Sequence, residues 1–377
     1  MSDIIVREVT SDKDLRKFIE FPIKLYKDSN YYVPPLASEE YETFRRDKNP
    51  AYEYCDTRLF LAYKDGQIAG RICVLHNKRY NEVWNTKRLR FTRFDFIDDF
   101  EVSKALMDKA LEYACEFGLN EIHGPIGFSD FDKQGMLVEG FDEINMFVTP
   151  YNYEYYLEHM ERLGYAKDVD WIEYLINLPE KIDERICRVG EIALRRNKLR
   201  VMQLRKMKDV LPIAYKVFDV LYQAYKDLYG YIPLNEKQID MYINQFISFL
   251  TPDFISIILN EQDEPVSVGI VMPSIVKAMQ RNKGHLFPFG FIPVLRDMNK
   301  KTLERVEFLL IGTLPEYQHK GINAIIINDI NEKLLQKRHV KYAETGPMLE
   351  SNDKIHSMWK HFDKRQHKRR RCYIKEV

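Results

Sequence analysis

Stretches of the chain alternate between short apolar runs and segments whose apolar residues fall at helical spacing. Ile4 to Val9, Arg58 to Tyr63, Gln67 to His76, Arg88 to Ile97, Glu121 to Ile126 and Trp171 to Ile176 read as strands. Asp12 to Lys27 predicts a helix, with Leu15, Phe18, Ile19 and Ile23 on one face, and Val102 to Phe117 predicts another, stopped by Gly118. Two prolines keep Asn30 to Leu36 extended, and Asp65-Gly66 marks a hairpin between two of the strands. Tyr155 to Leu163 reads as a helix ending at Gly164. An amphipathic helix over Pro179 to Lys198, with Ile182, Ile186, Val189, Ile192 and Ala193 on its apolar face, then breaks the order.

After that break the same order returns. It runs from a strand at Leu199 to Leu204 through helices at Lys208 to Leu228 and Glu236 to Phe249 to strands at Phe254 to Leu259 and Val266 to Met272. A strand at Arg305 to Thr313 and an isoleucine-rich helix follow. Tyr342 to Thr345, Asn352 to Phe362 and Cys372 to Lys375 then read as strand, helix and strand. Two successive units with one order of elements predict a tandem duplication: 1–178, a helical connector over 179–198, and 199–377.

Three segments fall outside this order. Phe128 to Pro150 is a long connection of the kind that serves binding, and with Tyr151 and Tyr155 just after it forms a candidate substrate wall; a packed surface loop is the other reading. Leu286 to Leu295, which includes Phe289 and Phe291, is apolar, broken by prolines and a glycine, and flanked by Lys277, Arg281, Lys283, Arg296, Lys300 and Lys301. That composition suits an acyl pocket, a membrane surface, or a plug between domains, and the breakers argue against a regular helix. Lys364 to Arg371 is a dense basic run placed between the last helix and the last strand, where it is a solvated face or an anion-binding patch for CoA phosphates or a lipid headgroup. No aromatic residue is interleaved for base stacking, so nucleic acid is not expected.

Composition narrows the classes. With 377 residues, 45% of them hydrophobic, the chain can bury more than one core. Its 57 basic and 57 acidic residues cancel, so no overall field favours a polyanion. Cys55, Cys73, Cys115, Cys187 and Cys372 show no metal-binding spacing, which predicts buried free thiols, no metal and a reducing compartment. The start is not a signal peptide and no apolar run approaches the roughly 20 residues of a membrane span, so a cytoplasmic location is expected.

The chemistry concentrates between Arg305 and Asn331. Pro315 ends the strand, Gly321 frees the backbone where the helix begins, and Lys320 adds a charge beside a helix start that can seat a phosphate. Pro-x-Tyr-Gln-x-x-Gly-Ile, between strand and helix, resembles the acyl-CoA loop of the GNAT superfamily of N-acyltransferases. Gln318, Gly321 and Asn323 stand at its Gln/Arg-x-x-Gly-x-Gly/Ala places, Asn323 being a departure from the small residue expected third. The resemblance implies that the amides of His319, Lys320, Gly321, Ile322 and Asn323 hold the CoA pyrophosphate and that the strand edge at Ile311 to Thr313 pairs with pantetheine. In the first half the matching helix start is Asp98-Asp99-Phe100-Glu101, a plain N-cap that would repel a pyrophosphate.

Over nearly its whole length the chain resembles a bacterial two-domain GNAT family related to bacterial ceramide-synthase-like proteins. Tyr32-Val33-Pro34-Pro35-Leu36, Asn49-Pro50, Gly70-Arg71-Ile72, Gly124-Pro125-Ile126-Gly127-Phe128 and Glu139-Gly140-Phe141-Asp142 carry the likeness together with the Gln318 loop. It implies an α/β (α+β) fold of two tandem GNAT-like domains, each a mixed, mainly antiparallel twisted sheet flanked by helices. It also implies transfer of an acyl group from acetyl-CoA or a longer acyl-CoA to a small-molecule or lipid-like amine.

The resemblance implies Glu307 as the first candidate base, eleven positions before Gln318, where GNAT enzymes often carry a strand glutamate, and Glu344 on the neighbouring strand is the second; either is otherwise a strand-edge carboxylate in a salt bridge. Where the family carries a Tyr seven residues after Asn352, this chain has Trp359, which cannot deliver a proton, leaving Tyr342, Tyr317 or solvent as the acid. Asn352 is carried over as a cofactor-side residue. The alternatives are a CoA-sensing or protein-binding module that lost its chemistry, and a ceramide-synthase-like, aminoacyl or peptidyl transferase. Peripheral membrane contact stays open, and oligomeric state is not legible.

Overall fold

A computed structural model describes residues 3–179, 181, 183–247, 250–298, 303–335 and 340–377. In chain order the first elements are β1 (Ile4–Glu8), α1 (Asp12–Leu25), α2 (Ala37–Thr43), β2 (Cys55–Lys64), β3 (Gln67–Asn77), α3 (Lys78–Trp84), β4 (Arg88–Phe96), α4 (Phe100–Glu116), β5 (Glu121–Gly124), β6 (Met136–Glu139), α5 (Tyr156–Arg162) and β7 (Ala166–Asn177). They are followed by α6 (Glu184–Arg196), β8 (Arg200–Val201), α7 (Ala214–Tyr225), α8 (Glu236–Ile247), β9 (Ile255–Leu259), β10 (Pro265–Pro273), α9 (Val276–Asn282) and α10 (Phe291–Asp297). The last are β11 (Arg305–Thr313), α11 (Ile322–Leu335), β12 (Tyr342–Thr345), β13 (Met348–Leu349), α12 (Asp353–Met358) and β14 (Lys364–Glu376). The chain divides into two units: Met1–Ile172 with Ile275–Val294 and His367–Val377, and Glu173–Ser274 with Leu295–Gln366.

In the first unit the strands run β1-β2-β3-β4-β5-β14, with β6 on β14. All these neighbours are antiparallel except β4 and β5. The β2–β3 hairpin closes at Asp65 (φ 50°) and Gly66 (φ 77°), two successive left-handed residues whose twist matches that of the strands. Ser11 caps α1 by accepting from the Asp14 amide at 3.2 Å, and Leu15, Phe18 and Ile19 bury its inner face. Asp99 caps α4 as expected, accepting from the Glu101 amide at 3.0 Å, and also pairs with Lys64. Leu106 and Ala110 of α4 pack on Ile72, Val74, Leu89 and Phe91 of the sheet, each of the larger side chains contributing about 1.5–3 kcal/mol when fully buried.

The second unit repeats the plan in the order β7-β12-β11-β10-β9-β8, with β13 on β7, and again one pair, β11 with β12, is parallel. Ile322, Ile325, Ile326 and Ile330 of α11 fill its core together with Ile258, Val306, Phe308, Ala343 and Trp359. α6 lies along α11, where Asn328 Nδ2 donates to the Ile186 carbonyl at 3.1 Å.

Several expectations are corrected. The basic run is not a loop: it forms the first half of β14, where Lys368 and Arg370 are buried. Lys368 Nζ donates to the Ile144 carbonyl at 3.0 Å, and Arg370 Nη2 to Asn145 Oδ1 at 2.7 Å and Thr149 Oγ1 at 3.0 Å. Arg369 and Arg371 clamp Asp170; burial opposes its charge, but their hydrogen bonds and that of Lys167 prevail and hold it near 2. These cations therefore serve structure rather than an external anion.

The Leu286 to Leu295 stretch does enter a helix, α10, because Pro293 falls in its first turn, where a backbone amide has no intrahelical acceptor. Phe287 and Phe289 are 84% and 71% exposed, so they do not plug a core. Phe128 to Pro150 contains β6, the helix expected from Lys208 begins only at Ala214 after two single 3₁₀ turns, and the last helix stops at Met358. Leu199 to Leu204 keeps only two strand residues. Cys55, Cys73 and Cys372 are buried, whereas Cys115 is exposed. Ile182, Phe249, Lys300 and Lys301 lie outside the described residues.

Candidate functional site

β11 pairs with β12 in parallel only from Arg305 to Phe308, so the β12-facing edge of β11 from Leu309 onward loses its strand partner. This splay opens beside the turn that leads to α11. Leu314 to Gln318 make a single 3₁₀ turn around Pro315, after which His319 (φ 61°) and Gly321 (φ 78°) both adopt left-handed backbone. After Gln318, whose amide donates to Pro315 O at 3.2 Å, the next amide with a backbone acceptor is that of Ala324, at Gly321 O, 3.1 Å. Among the described residues the amides of His319, Lys320, Gly321, Ile322 and Asn323 have no acceptor. Five donors at a helix start, alternating in backbone hand, form a concave nest for an anion.

Side chains frame this nest. Gln318 Nε2 donates to Thr313 O at 3.2 Å and its Oε1 accepts from Lys354 Nζ at 3.0 Å, bracing the turn between β11 and α12. Thr313 is tied to Ser267 Oγ at 2.6 Å and to Asn323 Oδ1 at 3.3 Å, so its hydroxyl and the unexpected Asn323 side chain are used locally. Lys320 is exposed, its ammonium 5.1 Å from the Tyr317 ring. Asn352 is the N-cap of α12, accepting from the Ile355 amide at 3.4 Å.

One residue of this region was not singled out from sequence. Tyr225, at the end of α7, donates its hydroxyl to Ile311 O at 2.9 Å and accepts from Ile311 N at 3.1 Å, capping the splayed edge. The first unit closes its own splay in the same manner: Tyr156 Oη accepts from Phe96 N at 3.0 Å and Tyr155 donates to Phe96 O. There the following helix begins directly at the Asp99 cap, with no nest.

Glu307 and Glu344 stand opposite each other in the β11–β12 register, both fully buried. Arg305 pairs with Glu344. Tyr342 shares a strand face with Glu344 and is 41% exposed. Trp359 is a core side chain, edge-on to Phe308 at 5.1 Å, and its buried Nε1 finds no hydrogen-bond partner among the described residues. Tyr151 and Tyr155 belong to the first unit, Tyr151 lining a cavity there, while Phe291 is exposed on α10 near Phe289. In the first unit His123, Asp168 and Cys372 bring three ligand atoms within 4.8 Å of one another, but Asp168 is paired with Arg88 at 3.3 Å.

No family model matches the chain. It is 26% identical over 377 residues to Protein YghO of Escherichia coli (strain K12), covering 99% of this chain and 95% of that protein. It is 26% identical over 331 residues to the Bacterial ceramide synthase of Caulobacter vibrioides (strain NA1000 / CB15N), covering 84% and 82% respectively. In structure it is similar to a tandem GNAT protein from the clavulanic acid biosynthesis pathway, with a TM-score of 0.57 at 9% identity over 99% of this chain and 98% of that one. A GCN5-related N-acetyltransferase from Sphaerobacter thermophilus gives 0.51 at 12% identity, covering 99% and 95%. The fold is thus that of two tandem GNAT domains, an acyltransferase-type architecture. Among the described residues no helix is long and apolar enough to cross a membrane.

Proposed function

We propose that the chain is an acyl-CoA-dependent N-acyltransferase whose donor site lies in the second unit. The observation that carries this is the run of five acceptor-less amides from His319 to Asn323 at the start of α11. They offer the pyrophosphate a cradle of N–H donors, and the edge of β11 at Ile311 offers pantetheine a backbone partner. Tyr225 holds that edge in the free protein and gives way to a pantetheine amide. Tyr225→Phe should therefore tighten CoA binding about fivefold, the equivalent of about 1 kcal/mol for a hydrogen bond no longer displaced. Unchanged or weaker binding by calorimetry would place pantetheine elsewhere.

In the transfer the acceptor nitrogen attacks the thioester carbonyl, the C–S bond breaks, and the thiolate is protonated. Glu307 takes the amine proton, with Glu344 opposite it as the alternative base, and the exposed Tyr342 hydroxyl or water supplies the acid that Trp359 cannot. Glu307→Gln should lower kcat by about 10²–10⁴-fold. CoA affinity should stay intact, and the deficit should shrink at high pH where the amine is already neutral. A full-rate mutant in a thiol-release assay would remove Glu307 from this role.

The acceptor class to test first is a long-chain amino alcohol. The sequence likeness to a ceramide synthase supports it, as do the exposed Phe287 and Phe289, an apolar surface suited to a lipid-like amine. A second reading, a CoA-binding module without turnover, is favoured by the core position of Trp359. Thiol release from acetyl- and palmitoyl-CoA with a panel of amines separates the two: acceptor-dependent release supports the enzyme, and binding without release supports the module.

A further inference from the structure

The first unit holds a cavity of about 60 Å³, enclosed by α1, β4 and the 125–156 segment. Three cations, Arg71, Arg93 and Lys133, line it against two carboxylates, Glu40 and Asp95. Four of these five consume one another. Arg71 Nε donates to Asp95 Oδ2 at 2.7 Å, and Arg93 grips Glu40 through two bonds of 2.9 and 3.1 Å while also reaching Asp132 at 2.8 Å. Burial would raise the Glu40 carboxyl, but the Arg93 charge and hydrogen bonds hold it down at about 2.

Two donors remain with capacity. Lys133 Nζ makes one long bond, 3.3 Å, to the Phe147 carbonyl, although an ammonium carries three N–H groups. Tyr32, which lines the same cavity, is more than nine-tenths buried; its phenol lies within electrostatic reach of Arg71, Asp95 and Glu40, and the hydroxyl has no hydrogen-bond partner among the described residues. Leaving a buried hydroxyl unsatisfied costs about 1–3 kcal/mol, which an acceptor bound in the cavity would recover.

We propose that this cavity is a binding site for a small carboxylate, held by the Lys133 ammonium and the Tyr32 hydroxyl. The groups with bonding capacity left over, an ammonium and a hydroxyl, offer N–H and O–H donors, which selects an anionic acceptor over an amine. One water needs roughly 15 Å³ of such space, so the cavity accommodates about four non-hydrogen atoms, the size of acetate. The unit that has no phosphate nest thereby keeps a ligand role of its own, independent of the donor site proposed for the second unit.

The probe is ¹³C-acetate, titrated into the full chain and followed by NMR, with ethylammonium as the cationic control. Saturable acetate binding is expected, weakened at least about tenfold in Tyr32→Phe and in Lys133→Met, the loss anticipated for a hydrogen bond to a charged group. Tyr32→Phe removes a hydroxyl that bonds nothing, so its thermal stability should not fall, and this variant keeps the test valid if Lys133→Met folds poorly. Lys133 faces Glu39, Glu40, Asp132 and Arg93, and burial pulls its pKa down to about 8. Acetate affinity should accordingly decline as the pH rises through that value and the ammonium is lost. Gly321→Glu should bind acetate normally, which keeps the outcome separate from that of the CoA site. Absent acetate binding, equal binding of ethylammonium, or full affinity in both variants would overturn the proposal.

Discussion

Replacing Gly321 by Glu is expected to abolish CoA binding. Gly321 has a φ of 78°, and a Cβ there would stand 3.2 Å from Val189 Cγ1 and 3.4 Å from Ala193 Cβ. Left-handed backbone costs a residue with a Cβ about 1–2 kcal/mol, and the contact with α6 leaves the new side chain little room except toward the nest. There its carboxylate meets the five amides in place of the pyrophosphate and repels what it does not displace. Like charges brought together in a binding site cost several kcal/mol, so a loss on the order of a hundredfold or more is expected. Gly321→Ala bears the same backbone strain without the charge and should stay within about tenfold of the parent. If both variants fail equally, the loss is one of local folding; if both bind normally, the nest is not the anion site.

The second large effect is on stability. Arg370→Met should destabilise the chain by about 3–5 kcal/mol, because it deletes a buried cation whose partners stay behind. Asn145 Oδ1, Thr149 Oγ1 and the Pro150 carbonyl all accept from Arg370, and Asn145 and Thr149 are themselves buried. Methionine keeps most of the stem, so the measured cost reports the lost hydrogen bonds more than a cavity. Urea unfolding should show a lower midpoint at an unchanged slope. Arg365→Met, five residues earlier on an exposed position of the same basic run, should change stability by no more than about 0.5 kcal/mol. Equal effects at the two positions would return the run to the role of a solvated face.

These basic residues show where sequence reading stops. The partners of Arg369 and Arg370 lie 199 to 225 positions away, at Asp170, Asn145 and Thr149, so no local pattern separates a structural cation from a solvated one. The same distance hid Tyr225, whose bond to Ile311 spans 86 residues. What was legible is local. Asp65-Gly66 dictates its hairpin by backbone hand, Asp99 caps its helix within two residues, and Pro315 with Gly321 sets a strand, a turn and a helix in order. Pro293 does not break α10, because in the first turn of a helix its missing amide has no intrahelical acceptor to lose, and the sequence alone does not fix where that turn begins. The apolar stretch around Phe287 and Phe289 looks alike in sequence whether it faces a core or solvent, and only the fold exposes it. Nor did the sequence say that Glu344 meets a guanidinium. Arg305, Glu307 and Glu344 become neighbours only through the parallel β11–β12 register.

The donor site is tested most directly by titrating CoA into the full chain in a calorimeter and counting sites. CoA carries the pyrophosphate and pantetheine that the nest and the β11 edge are expected to hold, whatever the acyl group. One site per chain is expected, because the His319 to Asn323 amides are open while in the first unit the matching helix start is capped by the Asp99 carboxylate. The heat should vanish in Gly321→Glu. No binding to the parent chain, two sites per chain, or one site that survives that replacement would contradict the assignment.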